Sequence, residues 1–377
     1  MPAQPIDTLL ISGTKIAIFC ARIDNWGDIG VTWRLARVLA QAEHAVVWWV
    51  DDWHAAQSFV ARTSSLPTLT VRRWHRSAPT AEDLDQVSQL DAVIEAFACG
   101  FSDPWLAAFA ARRPTPPRWI VLEHLTTEPW AGSFHGLKSP HPKLPLEAQW
   151  CVPGFEPTSG GLLREPDLLT RFAESPDAEA RAFFTRLTPL PATRYRRISL
   201  FCYADAPLSG FLAALAEDPT PTLLFVPPGA PRQALAAAGI ELDESPQAWL
   251  GTPHVWQPIP FLPPDDYDRL LALSHLNWVR GEDSFVRAQW AARPFVWSPY
   301  RRADGAHEHF AEAFRTRFGG HWPLADTETR ITDAPYWRQA FVEWEAWAHH
   351  AAAWRETLLL LPELGQTVLG MSLPIVR

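Results

Sequence analysis

Two aspartates, Asp24 and Asp28, lie four residues apart in the stretch RIDNWGDIG, shortly after an apolar run that begins at Ile16. A strand-to-helix turn that binds a dinucleotide favours the pattern G-x-G-x-x-G, and a carboxylate facing a pyrophosphate would be repelled. Carboxylates at this position suit general base catalysis instead. The alternative interpretation is a loop aspartate followed by one that caps the helix. The pair is therefore a candidate catalytic site.

A second group of residues that could carry chemistry, Arg280, Glu282, Asp283 and Ser284, surrounds Gly281. The pattern predicts a strand before this turn and a helix after it, with Asp283 or Ser284 as the cap. Free N–H groups at a helix N-terminus bind anions such as a diphosphate, and Arg280 would add positive charge there. Glu282 would be unfavourable beside phosphates without a partner such as a ribose hydroxyl or a substrate proton. The alternative interpretation is that these residues form only a helix cap and a surface ion pair.

Aromatic residues stand where predicted strands of the second half of the chain end: Phe201, Tyr203 and Phe261. Each could stack on a nucleotide base, and core packing fits the same positions. His307 and His309 have i, i+2 spacing without a nearby third ligand, so we expect no metal site there.

The elements that must position these residues form two series of alternating strands and helices. A turn-rich segment at 126–156 interrupts the first series, and a basic, Pro-bounded connector near 189–197 precedes the second. This alternation predicts an α/β protein with parallel, doubly wound sheets, which bind ligands at their strand C-termini. We expect two Rossmann-like domains, 1–188 and 189–344, facing a central cleft. A C-terminal helix at about 345–377 is expected to pack back on the first domain.

Composition excludes several classes of partner. The net charge is −9 and no basic stripe is present, so we expect no nucleic-acid partner. The N-terminus does not resemble a signal peptide, and no apolar run approaches the ~20 residues of a membrane span. Four widely spaced cysteines in apolar contexts predict buried free thiols in a reducing cytoplasm: Cys20, Cys99, Cys151 and Cys202.

Five segments resemble the EarP family, the protein-arginine rhamnosyltransferases that modify bacterial elongation factor P. They are IFCARIDNWGDIGVTWRLARVLA, HGLKSPHPKLPL, SLFCYA, PFLPPDDYD and NWVRGEDSFVRAQWAARPFVW, in order from Ile18 to about Phe310. The resemblance implies a GT-B fold and inverting transfer of L-rhamnose from dTDP-β-L-rhamnose. The implied acceptor is one arginine in the N-terminal domain of elongation factor P, which the sugar activates to rescue ribosomes stalled at polyproline. No cofactor and no metal ion are implied.

The resemblance also implies roles for individual residues. Asp28 corresponds to the general base, Asp24 to a residue that organises the site, and Glu282 to one needed for activity. Arg280, Asp283, Ser284 and Tyr300 are implied around the diphosphate, and Phe201, Tyr203 and Phe261 near the thymidine. Pro264 stands where the family usually carries a Gln that contacts thymine, so we expect base recognition to differ in this chain.

The implied chemistry agrees with the residue types. A guanidinium, with a pKa above ~12, is a poor nucleophile while protonated, and a carboxylate pair can orient it and accept its proton. Two alternatives remain open at this point. One is another GT-B enzyme, either a small-molecule glycosyltransferase or a nucleotide-sugar epimerase. The other is a non-catalytic module that binds a translation factor.

Overall fold

The computed structural model describes residues 13–22, 26–60, 65–112, 114–173, 177–301, 305–325 and 329–373. The chain divides into two compact units. The first unit comprises Met1–His124, Phe134–Pro153 and Glu363–Arg377, and the second comprises Leu125–Ser133 and Gly154–Pro362.

The described strands, in chain order, are β1 (Lys15–Cys20), β2 (Ala45–Val50), β3 (Leu69–Arg73), β4 (Ala92–Ala96), β5 (Arg118–Leu122), β6 (Lys138–Pro140), β7 (Glu147–Cys151), β8 (Arg196–Leu200), β9 (Thr222–Val226), β10 (Gln247–Ala248), β11 (Val255–Pro258), β12 (Leu276–Val279) and β13 (Phe295–Trp297).

The described helices are α1 (Trp26–Gln41), α2 (Trp53–Val60), α3 (Ala81–Val87), α4 (Asp103–Ala111), α5 (Ala131–Phe134), α6 (Leu168–Ala173), α7 (Asp177–Thr185), α8 (Ser209–Glu217), α9 (Ala230–Ala237), α10 (Pro264–Leu273), α11 (Glu282–Trp290), α12 (Ala306–Phe318), α13 (Ala334–Val342), α14 (Trp344–Leu358) and α15 (Leu364–Ser372).

The sheet of the first unit has the strand order β3-β2-β1-β4-β5-β7-β6. Its strands pair in parallel, apart from β6, which runs antiparallel to β7. Continuous apolar strands such as AVVWWV in β2 are typical of parallel sheets covered on both faces. On one face, Phe19 stacks on Trp49 at 4.6 Å and meets the edge of Trp105 at 5.1 Å. The sheet therefore rests on an aromatic core.

The sheet of the second unit has the order β10-β11-β9-β8-β12-β13, with β10 antiparallel and the other pairs parallel. Its core is also aromatic: Phe285 stacks on Trp297 at 4.0 Å and meets Phe314 at 4.7 Å. The predicted α/β class with parallel, doubly wound sheets is confirmed in both units.

The observed division differs from the predicted boundary between residues 188 and 189. Residues 154–188 lie in the second unit, where the Trp290 indole donates to the Leu163 carbonyl at 3.0 Å. The predicted helix at about 345–377 is two helices: α14 belongs to the second unit and α15 to the first. There α15 packs on α1 so closely that a Cβ at Gly365 would lie 2.6 Å from Val38.

All four cysteines are buried free thiols, as predicted. Burial raises the pKa of Cys99 and of Cys151 to about 12. Of the helices in the described ranges, none combines the length and the apolar character needed to cross a membrane.

Candidate active site

Each sheet has a point where the strand order reverses. In the first unit β1 lies between β2 and β4, and in the second unit β8 lies between β9 and β12. Open α/β sheets bind ligands beyond the carboxyl ends of the strands at such a switch point. The predicted site residues that the structure describes follow strands at these two edges, so each unit is considered in turn.

In the second unit, Arg280 follows β12 and is fixed at both its side chain and its backbone. Its guanidinium lies 4.1 Å from the ring centre of Phe201 and 5.2 Å from that of Tyr203, and both rings follow the neighbouring β8. The Trp297 indole donates to the Arg280 carbonyl at 2.9 Å. The Arg280 N–H donates to Ser284 Oγ at 3.1 Å. A fixed positive charge is therefore held at the switch point.

The N-terminus of α11 differs in one respect from the prediction. The helix begins at Glu282, and its N-cap is Gly281, which has no side chain to accept from the first N–H groups. The prediction that Asp283 or Ser284 caps the helix is wrong, because both lie inside the first turn. Ser284 Oγ instead donates back to the Gly281 carbonyl at 3.0 Å. Backbone N–H groups in the first turn of a helix point along its axis, where they can bind an anion.

Glu282 and Asp283 are half-buried in this first turn. Carboxylates near a helix N-terminus are favoured by the helix dipole. Asp283 also acts on Tyr267: burial raises the pKa of this phenol above its usual range, and the Asp283 charge raises it further. Tyr267 packs beneath Phe201, with ring centres 5.3 Å apart. Its position in the first turns of α10 was not predicted, because Pro264 and the residues after it indicate only a helix start.

The remaining aromatic residues lie at the same edge. Tyr300 follows β13, is 49% exposed, and meets Tyr203 edge-on at 6.2 Å. Phe261 follows β11 and is 40% exposed. Because β9 separates β11 from β8, the ends of β11 and β8 lie about two strand spacings apart, or roughly 10 Å. The structure therefore brings Arg280, Phe201, Tyr203 and Tyr300 together, with Phe261 further along the edge.

A buried ion network, which the sequence analysis did not predict, joins α11 to α10 and to Glu165. Arg287, only 1% exposed, binds Asp268 of α10 through two N–H groups at 3.0 and 2.7 Å. Its third nitrogen binds Glu165. The signal for this network is weak, since Glu165 lies 122 residues away from Arg287 along the chain.

In the first unit, Asp28 lies in the first turn of α1, which follows β1 at the switch point. Asp28 is half-buried, and its backbone carbonyl accepts from Thr32 Oγ1 at 2.8 Å. The sequence pattern predicts a helix from Val31, which is five residues late, because α1 begins at Trp26 and includes Gly27 and Gly30. Asp24 lies outside the described residues.

Other polar groups line the same edge. Glu95 is buried near the end of β4 and accepts from the Gly100 N–H at 2.7 Å and the Trp119 indole at 2.9 Å. Its burial raises the pKa of the carboxyl group. Among the residues that the structure describes, no group of three or more His, Cys, Asp or Glu side chains is placed to hold a metal ion.

The chain matches the family described as Elongation-Factor P (EF-P) rhamnosyltransferase EarP over residues 16–371. It is 41% identical over 362 residues to a protein-arginine rhamnosyltransferase of Pseudomonas aeruginosa, with 92% of this chain and 91% of that protein covered.

Two solved structures extend the comparison. One, described as the structural basis for EarP-mediated arginine glycosylation of translation elongation factor EF-P, is 28% identical with a TM-score of 0.59, covering 94% of this chain and 97% of that one. The spinosyn rhamnosyltransferase SpnG is 13% identical with a TM-score of 0.53, covering 96% of this chain and 100% of that one. With two parallel α/β sheets, the chain has a GT-B glycosyltransferase fold, as predicted.

Proposed function

This chain belongs to the EarP family of elongation factor P rhamnosyltransferases, and from that premise we propose that it transfers L-rhamnose from dTDP-β-L-rhamnose to elongation factor P. The acceptor is one arginine side chain in the N-terminal domain of that factor. Transfer inverts the anomeric carbon, and the modified factor then relieves ribosomes stalled at polyproline. The proposed enzyme is a protein-arginine rhamnosyltransferase.

The observation that carries the donor half of the proposal is the fixed guanidinium of Arg280 beside the N-terminus of α11. Helix-end N–H groups and an arginine together suit a diphosphate, and they stabilise the charge that develops on it as it leaves. Ser284 and Asp283 lie in the same turn, and Tyr300 lies beside Tyr203. We assign these residues to the diphosphate end of the donor.

The nucleoside end of the donor is assigned to the aromatic residues at this edge. The resemblance assigns Phe201, Tyr203 and Phe261 to the thymidine, and thymine can stack on aromatic rings of this kind. Pro264 begins α10 and offers no side-chain hydrogen bond to a base. Recognition of thymine in this chain is therefore expected to depend on stacking and on backbone groups.

The acceptor half of the proposal depends on Asp28. A guanidino nitrogen of the acceptor forms a bond to the anomeric carbon while the bond from that carbon to the diphosphate oxygen breaks. The nitrogen loses one proton, and the Asp28 carboxylate accepts it as general base. Glu282 acts as a second carboxylate needed for turnover, and Asp24, outside the described residues, keeps its predicted role of organising the site. This reaction has no step that requires a cofactor or a metal ion, because the helix N-terminus and Arg280 serve the leaving group.

We also assign the activity to the cytoplasm. Four buried cysteines that form no disulfide support this location, since reducing compartments keep cysteines as thiols.

The test is the intact mass of elongation factor P after incubation with this protein and dTDP-rhamnose. We expect a gain of one deoxyhexosyl group, located on an arginine by fragmentation. Asp28→Asn should lower kcat by about 10²–10⁴-fold, because a positioned general base contributes that much, and should leave the Kd for dTDP unchanged. Asp243→Asn, at an exposed position, is the matched control and should retain full activity.

Each other outcome has a distinct meaning. Unchanged turnover by Asp28→Asn would reject Asp28 as the base. Transfer to a small molecule, with no change in elongation factor P, would indicate a different glycosyltransferase. If dTDP failed to raise the thermal stability of the protein, a non-catalytic binding module would be the better description.

A further inference from the structure

A strained turn follows β4 at the switch point of the first sheet. Phe97 and Ala98 have φ angles of 59° and 47°, and Gly100 has a φ angle of 77°. The left-handed region is unfavourable for residues that carry a Cβ, and residues held there are concentrated at binding and catalytic sites. Two such residues in succession identify this turn as a feature that the fold maintains against a local energetic cost.

Several contacts hold the turn in this conformation. The buried carboxylate of Glu95 accepts the Gly100 N–H at 2.7 Å, and the Trp119 indole fixes its other oxygen at 2.9 Å. The Phe97 N–H donates to the Leu122 carbonyl at 2.6 Å. The Cys99 carbonyl accepts from Arg76 at 2.7 Å. The turn is therefore rigid, and the Phe97 ring is fixed with it.

The strained turn carries Phe97, whose ring contacts one exposed imidazole. The ring of buried Phe97 stacks on that of exposed His124, with centres 4.3 Å apart and planes within 11°. His124 directly follows Glu123, the first residue after β5. A flat aromatic ring is thereby held in a fixed plane at the sheet edge, with Phe97 covering one face.

The register of the sheet places β5, which precedes this ring, two strands from β1, which precedes the helix carrying Asp28. Phe19 of β1 pairs with Glu95 of β4, which pairs with Val121 of β5. Adjacent strands lie about 4.8 Å apart, so the ends of β4 and β5 lie roughly 5 and 10 Å from the end of β1. The helix that carries Asp28 follows β1. A side chain as long as arginine can span this separation.

The chemistry of the edge suits a guanidinium. This planar cation stacks on aromatic rings and forms hydrogen bonds to carboxylates in its own plane. We infer that His124, supported by Phe97, stacks on the guanidinium of the acceptor arginine and orients it toward Asp28. His124 is then a positioning residue that selects an arginine over a lysine, which lacks a planar head group. This inference rests on the proposed function.

The test compares His124→Ala, which removes the ring, with His124→Phe, which keeps a ring but no imidazole nitrogen. His349→Ala is the control, since His349 is exposed on α14 and has no assigned role. The kcat/KM for elongation factor P should fall about 3–30-fold in His124→Ala, the range expected for losing a stacked cation. His124→Phe and His349→Ala should stay within about 2-fold of wild type. The Kd for dTDP should be the same in all four proteins.

Two results would overturn the inference. One is an unchanged kcat/KM in His124→Ala, and the other is an equal loss in His124→Ala and His124→Phe, which would indicate a role for an imidazole nitrogen and not for the ring plane. Failure of the proposed function gives a different result, because wild type itself would then leave elongation factor P unmodified.

Discussion

The charged side chain of Arg280 packs against aromatic residues in the candidate site. The resemblance assigns Phe201 to the thymidine, whereas in the structure the face of Phe201 lies against the Arg280 guanidinium at 4.1 Å. Tyr267 supports the Phe201 ring at 5.3 Å. This arrangement indicates that Phe201 acts first as a support for Arg280, and so contributes to the diphosphate end of the donor.

Replacing Phe201 separates the two roles. In Phe201→Leu the guanidinium loses its cation–π contact, and because a partly desolvated contact of this kind contributes about 1–2 kcal/mol, the Kd for dTDP should rise about 5–30-fold. If Phe201 supports Arg280, the affinity for inorganic pyrophosphate should fall by a similar factor. Isothermal titration calorimetry with both ligands measures this. Weaker dTDP binding with unchanged pyrophosphate binding would instead assign Phe201 to the base.

At the residue scale, local spacing predicts the proximity of neighbouring side chains better than it predicts contacts across the fold. Arg280 and Ser284 are four residues apart, and their proximity follows from the turn that joins them. The stacking of Phe97 on His124 depends on the register between β4 and β5. It also depends on a left-handed backbone conformation that phenylalanine residues rarely adopt. The sequence carries no local signal for either.

At the scale of elements, α11 is anchored by a buried ion network. Arg287 lies within α11 and joins it to Asp268 of α10 and to Glu165. Arg171 of α6 adds a further contact to Asp268 at 3.7 Å. Buried ion pairs of this kind fix geometry, but they leave unpaired charge in the interior if one partner is lost.

Removing the arginine should therefore be costly. Arg287→Met leaves two buried carboxylates without their main partner, so we expect the free energy of unfolding to fall by about 3–5 kcal/mol. Urea denaturation followed by tryptophan fluorescence measures this change. The matched control is Arg186→Met, because the exposed pair of Arg186 with Asp266 contributes at most about 1 kcal/mol.

We expect the unpaired charges of Glu165 and Asp268, and not the lost volume of the arginine side chain, to cause this loss of stability. Adding Glu165→Gln and Asp268→Asn to Arg287→Met removes the unpaired charges and should restore part of the stability. If the triple variant is no more stable than Arg287→Met, unpaired charge does not explain the effect.

The helix boundaries show where local propensity fails. Gly27, Asp28 and Gly30 are poor helix formers, so the sequence predicts a start at Val31. In the structure α1 begins at Trp26, and the side chains of Ile29 and Trp33 in its following turns are buried. Packing of this face on the sheet outweighs the weak propensity of the first turn. Asp28 consequently takes its position from the helix, which fixes it more tightly than a loop would.

At the scale of the whole molecule, the sequence predicted two parallel sheets but misplaced the division between units. The switch from strand to helix periodicity is a local signal, and it located both series correctly. The assignment of residues 154–188 to the second unit depends on contacts with distant partners, such as Leu163 with Trp290. Such contacts leave no trace in composition or periodicity.

Both units contain histidines whose burial disfavours the protonated form. Among the residues that the structure describes, burial lowers the pKa of His44, His135, His254 and His275. The strongest case is His275, where burial, together with the charges of Arg197 and Arg293, lowers the pKa from 6.5 to about 4. Its Nδ1 accepts the Arg197 N–H at 3.0 Å, which requires an unprotonated nitrogen.

This burial predicts a loss of stability in mild acid. Between pH 6.5 and about 4 the unfolded chain protonates His275 while the folded chain does not, so the free energy of unfolding falls as the pH falls through this window. From pH 7.5 to pH 5, His275 alone should account for about 2 kcal/mol. Glu95 acts in the opposite direction, because its raised pKa favours the folded state as the pH falls.

The difference between wild type and His275→Asn isolates this contribution, since Glu95 and the other three histidines are common to both proteins. Asparagine can offer an oxygen to the Arg197 N–H without gaining a proton in this range. Urea denaturation at pH 7.5 and at pH 5 should therefore show a smaller loss in His275→Asn than in wild type, by about 2 kcal/mol. Equal losses in the two proteins would mean that His275 takes up its proton without unfolding, and that its hydrogen bond to Arg197 yields in the folded state.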